Sequence, residues 1–113
     1  MGLLASFAIL LLSAILEAGG DALVRNGLHS KAMAARVGFL ALGGVVLFAY
    51  GIVVNTPPWD FGKLLGVYVT LFFVVAQTIN FWFYGAKPTL PILAGGLLIV
   101  AGGLIITFWP ADA

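Results

Sequence analysis

The chain has no cysteine and a single histidine, His29. The first absence excludes disulfides and thiolate metal sites, and the second leaves His29 with no companion ligand nearby, so neither a metal centre nor a cofactor is expected. Charge is scarce as well. Lysine and arginine number 5 and aspartate and glutamate 4 among 113 residues, 8% together, against roughly a quarter in an ordinary soluble domain. So few basic residues form no patch of the density that nucleic acid requires. No phosphate-cradling glycine-rich loop ends in Lys-Ser or Lys-Thr, which sets ATP hydrolysis aside, and the chain is not expected to be an enzyme.

What is present is apolar. Hydrophobic residues make up 63% of the chain and the mean hydropathy is +1.18, the composition of an integral membrane protein. A spanning helix needs about 20 apolar residues, and four such stretches occur, at 3–24, 37–56, 64–84 and 90–109. Each is a long continuous run, unlike the alternating segments of about ten residues in a membrane barrel. The expected fold class is an all-α membrane protein: four transmembrane helices with short loops in one domain over residues 1–113. The first run is not expected to be a signal peptide, since no basic residue precedes it and three more spanning runs follow.

The breaks between the runs agree. "NTPPWDFGK" carries Pro57 and Pro58, which cannot continue a helix, between the second and third runs. "GAKPTLP" does the same before the fourth. Between the first two, Asn26-Gly27 is an expected helix stop and Ser30 an expected cap. Trp59, Trp82, Tyr84 and Trp109 fall near segment ends, where interfacial aromatics anchor a helix. Arg25, Lys31 and Arg36 lie in or beside the first loop and Lys87 in the third, while the opposite side has only Lys63. By the bias of basic residues toward the cytoplasm, both termini are expected outside, in a bacterial inner (plasma) membrane.

Against this background "SAILEAGGDALVRNGL" stands out, because it puts Glu17, Asp21 and Arg25 in the first spanning segment. Residues four apart advance only about 40° around a helix, so the three share one stripe, with Ser6, Ser13, Ala14 and Gly20. Counted from Leu3, Glu17 lies about 21 Å along the helix, inside a hydrocarbon core about 30 Å thick. Asp21 is nearer the surface, where it can form a charge pair with Arg25 as the arginine reaches the headgroups. Glu17 is different. A carboxyl at this depth costs about 3 kcal/mol to insert, and such residues face cavities and mark ion or substrate pathways. It can exchange a proton for a cation, which makes it the leading candidate for a proton and substrate site.

"AILEAGGDALVRNG" resembles the first helix of the small multidrug resistance family, in which an alanine-rich helix bears one glutamate, a glycine three residues on and a basic residue eight residues on. Those positions are Glu17, Gly20 and Arg25 here. "FYGAKPTLPILAGGLLIVAGGLII" is similar to that family's passage from third to fourth helix. "VVLFAYGIVVNTPPWDFGKLLGVYV" looks closer to a sister family of small four-helix proteins in the drug/metabolite transporter superfamily. The resemblance implies a four-helix protomer acting as a dimer, often antiparallel, whose two first-helix glutamates bind protons or a cationic substrate in alternation. The third helix departs from it: a Gly-x-Gly kink is missing, and Tyr68 is the nearest counterpart of the family's lining aromatic.

Two further patterns bear on assembly and lining. In the fourth segment Gly95 and Gly102 are seven apart, as are Gly96 and Gly103, a small-residue ridge that suits close helix approach in a dimer seam or within the chain. In the third, Gly66, Thr70, Phe73, Gln77, Asn80 and Tyr84 share one helical face. Gln77 and Asn80 must face protein or water, as interhelical glue or as the lining of a chamber. Tyr50 and Tyr68 could hold a cation on their ring faces, or simply pack. The expected function is proton-coupled export of a small cationic or amphipathic compound by a dimer, with protons, the compound and the bilayer as partners. A lipid-linked or metabolite flippase subunit of a heteromer is one alternative; a non-transporting accessory subunit of a larger membrane complex is another.

Overall fold

The structure, a computed structural model, describes residues 1–110; the last three residues of the domain expected over 1–113 lie outside them. Four helices account for nearly all of it: α1 (Leu3–Leu28), α2 (Met33–Val54), α3 (Phe61–Tyr84) and α4 (Leu90–Phe108). No strand occurs among the described residues. At 1.5 Å per residue the helices are about 28 to 39 Å long, and they match or exceed the roughly 17 to 25 residues that cross a hydrocarbon core. All four are apolar enough to do so.

Two compact units divide the chain, Met1–Pro57 and Pro58 onward. Each is a helical hairpin.

In the first, α1 and α2 interlock by a repeating exchange of glycine for a branched side chain. A Cβ on Gly20 would stand 2.7 Å from Leu47 Cδ2, one on Gly27 2.9 Å from Leu40 Cγ, and one on Gly43 2.7 Å from Val24 Cγ2. Glycine on one helix thus receives a knob from the other, alternately in each direction, which brings the backbones close where no hydrophobic effect drives helices together. This packing explains a boundary the local signals misplace. Asn26-Gly27 does not stop α1 at residue 24, because Gly27 is buried in the seam and the helix runs on to Leu28. Nor does Ser30 cap α2: its hydroxyl donates back to the Asn26 carbonyl at 2.7 Å, and α2 begins at Met33 behind Ala32. Arg36 ties the turn, its guanidinium donating to the Leu28 carbonyl at 3.1 Å.

In the second unit, Asp60 starts α3 three residues ahead of expectation by accepting from the Lys63 N–H at 3.1 Å, a cap that satisfies one free donor of the first turn. Lys63 lies over the Trp59 ring at 5.1 Å. Gly85 closes α3 in the left-handed region, φ 67, and the Ala86 N–H reaches back to the Asn80 carbonyl at 3.2 Å, a glycine stop of the usual kind. Thr89 caps α4 with Pro91 in its first turn, where a missing N–H costs nothing.

Candidate functional site

The register of the first hairpin orders the site. The α1–α2 seam runs through Gly20, Val24 and Gly27 on one helix and Leu40, Gly43 and Leu47 on the other. Continued by one step, it reaches Glu17 on α1 and Tyr50 on α2, each three residues beyond the last contact. The hairpin is antiparallel, so Gly20 opposite Leu47 puts Glu17 level with Tyr50 on α2. A carboxyl and a phenol ring, picked from the sequence for separate reasons, therefore occupy the same depth of the same helix pair.

That depth is central. α1 extends from Leu3 to Leu28, so its midpoint falls beside Leu16, and Glu17 is within about 3 Å of it along the axis. Because α1 runs on to Leu28, Glu17 lies closer to the middle of the helix than it does to the middle of the run 3–24. Glu17 and Tyr50 are half-buried, whereas Asp21 and Arg25 are exposed. Small residues flank the carboxyl: Ser13, Ala14, Ala18 and Gly20 are all buried. The Ser13 hydroxyl donates to the Ile9 carbonyl at 2.8 Å, satisfying itself within the helix as a buried hydroxyl in an apolar medium must. One turn or two further toward the N-terminus, Leu10 and Ser6 are fully buried on the same side of α1. Arg25 sits in the last turn of α1, and its carbonyl accepts from the His29 N–H at 3.2 Å and lies 2.8 Å from the His29 ring Nδ1.

The remaining site candidates are on the second hairpin. Tyr68 is buried, with Phe72 at 6.1 Å between ring centroids. The polar stripe of α3 is split between two surroundings. Gly66 meets Ile106, Thr70 meets Gly103, and Phe73 meets Gly96, so its first half is the contact surface for α4. Here Thr70 supplies the glue, its hydroxyl within 3.4 Å of the Ile99 carbonyl on α4 and 3.5 Å of Gly66 on its own helix. Gln77 instead lines an open furrow beside α4, and Asn80 is exposed near the end of α3.

The two glycine pairs of α4 separate in the same way. Gly96 and Gly103 are buried against Phe73 and Thr70, while a Cβ on Gly95 or Gly102 would meet nothing within 4 Å. Sequence spacing showed both ridges but not which one the chain's own α3 would occupy. Thr70 was visible only as a member of the stripe, and Asp60 carried a cap signal masked by the prolines before it. Among the described residues, no group of three or more histidine, cysteine, aspartate or glutamate side chains converges as a metal cluster would.

No family model matches the chain, and no solved structure matches it. Over 104 residues it is 28% identical to a UPF0060 membrane protein of Herpetosiphon aurantiacus, an alignment that covers 90% of this chain and 92% of that one. The similarity therefore embraces all four helices and the three turns between them rather than one motif. With four helices long and apolar enough to span a bilayer and a relative of the same size described as a membrane protein, the chain is an integral membrane protein.

Proposed function

We propose that the protein is a secondary transporter that exports a small cationic or amphipathic compound in exchange for protons, working as a dimer in which Glu17 of each protomer is the shared proton and substrate site. The observation that carries this reading is the position of Glu17: an ionisable side chain near the middle of a helix long and apolar enough to span a membrane, half-buried, flanked by small buried residues and level with Tyr50. Intramembrane carboxyls are costly and belong to ion and substrate pathways. Competition between a proton and a cation for one carboxylate is the simplest chemistry such a group can perform, and it needs no nucleotide. The resemblance of "AILEAGGDALVRNG" to the small multidrug resistance family supports the same assignment and extends it to a dimer.

In this scheme the deprotonated Glu17 carboxylate attracts the cation, Tyr50 offers its ring face or hydroxyl at the same depth, and the empty carboxylate takes up a proton before the site reopens to the first side. The test is proton release from the detergent-solubilised protein on adding a panel of organic cations. Wild type releases protons and Glu17→Gln does not. Tyr50→Phe, with the carboxyl intact, still releases them but needs about fivefold more cation, the worth of one lost hydrogen bond. Absence of release from folded wild type across the panel would remove the exchange mechanism and favour a flippase subunit or an accessory subunit instead.

A further inference from the structure

The second hairpin leaves an open furrow of about 470 Å³ between α3 and α4. At its base is Gly96, whose missing side chain admits the edge of the Phe73 ring. The walls include Val74, Phe81 and Trp82 from α3 and Leu93 and Leu97 from α4, all five exposed. Phe81 and Trp82 stand edge to face at 5.3 Å. Polar lining is confined to Gln77 and Thr78, and the Thr78 hydroxyl already donates to the Val74 carbonyl at 2.9 Å.

The furrow begins at Pro88, in the turn between the helices, and ends at Val100. From the start of α4 that is about 15 Å of helix rise, half of a hydrocarbon core of about 30 Å and hence the depth of one leaflet. A charge is next in sequence to the Pro88 end. Lys87, exposed, directly precedes Pro88, and the turn "GAKPT" contains no acidic residue; the acid of this unit among the described residues, Asp60, is at the other end of α3. An apolar slot one leaflet deep, with Lys87 adjoining the proline at its end and an aromatic pair beside it, suits the acyl chain of an anionic lipid.

We propose that this furrow seats an acyl chain of an anionic phospholipid whose headgroup phosphate pairs with Lys87. The furrow belongs to the second unit and Glu17 to the first, and the proposal does not rest on the transport reading. A resident lipid fills a groove that would otherwise leave side chains without contact partners, and it holds the α3–α4 turn at the surface.

Trp82 is a natural reporter. With Trp59→Phe and Trp109→Phe in the background, its fluorescence is followed in vesicles of phosphatidylcholine titrated with brominated phosphatidylglycerol or with brominated phosphatidylcholine. The brominated anionic lipid quenches Trp82 at about fivefold lower mole fraction, the effect of one basic residue near an anionic headgroup. Lys87→Gln abolishes the preference, whereas Lys63→Gln, which removes the same charge at the far end of α3, keeps it. Equal quenching of wild type by both lipids would overturn the proposal. So would equal loss of preference in the two lysine variants, which would reduce it to overall charge. Shielding of Trp82 from both lipids would overturn it, since protein and not lipid would then cover the furrow.

Discussion

At the scale of single residues, the same residue type does opposite things a position apart. Gly43 faces α1, where an added Cβ would lie 2.7 Å from Val24 Cγ2 and 3.1 Å from the Gly20 carbonyl oxygen; Gly44 faces open space. Gly43→Ala therefore forces backbones apart and should cost about 1 to 3 kcal/mol. Gly44→Ala removes only the entropic penalty of a helical glycine and should stabilise by up to about 1 kcal/mol. Unfolding of the two variants in mixed micelles titrated with dodecyl sulfate checks this, and equal effects would contradict the interlocked hairpin. Which glycine faces the neighbour could not be read from "LGGVV", because the answer depends on the register against Val24. The charged stripe was more legible: Glu17, Asp21 and Arg25 needed only the helical repeat to be aligned. Glu17 is half-buried while Asp21 and Arg25 are open, because exposure along α1 is set by which face packs on α2, as buried Gly27 near the helix end shows.

At the scale of elements, helix number and the two proline-bearing breaks were visible in the sequence, because long apolar runs and Pro57, Pro58 and Pro88 act locally. The end of α1 was not. Gly27 reads as a stop in isolation and is a packing site against Leu40 in the hairpin, so tertiary contact overrides the local signal. α4 likewise reads as one glycine-rich helix and has two distinct faces. Gly96 and Gly103 belong to contact with α3, which leaves Gly95 and Gly102 as the ridge available to a second protomer. Leucine at 95 or 102 should weaken the proposed dimer by about fivefold or more, as overpacking of about 1 to 3 kcal/mol implies, with α3–α4 folding retained. Leucine at 96 or 103 should lower the stability of the hairpin itself. Energy transfer between differently labelled protomers in vesicles separates the two, and undiminished transfer for both Gly95→Leu and Gly102→Leu would remove this ridge from the dimer.

At the scale of the whole molecule, the distribution of basic residues proposes an orientation. Arg25, Lys31 and Arg36 cluster around the α1–α2 turn and Lys87 lies in the α3–α4 turn, against Lys63 alone on the other side, so both termini are assigned to the outside. Because the chain contains no cysteine, introduced thiols report without background. A membrane-impermeant maleimide should label Gly2→Cys in intact cells and Lys31→Cys only after permeabilisation. The reverse pattern would invert the topology, and comparable labelling of both would mean that the chain inserts in both orientations.

The proposed transport mechanism depends most on one carboxyl, and the most direct measurement is proton release on cation addition, wild type against Glu17→Gln, in unbuffered detergent solution at matched folding. Release should saturate with cation for wild type and be absent for the variant. Equal release from both would take proton and substrate competition away from Glu17, and with it the proposed transport mechanism.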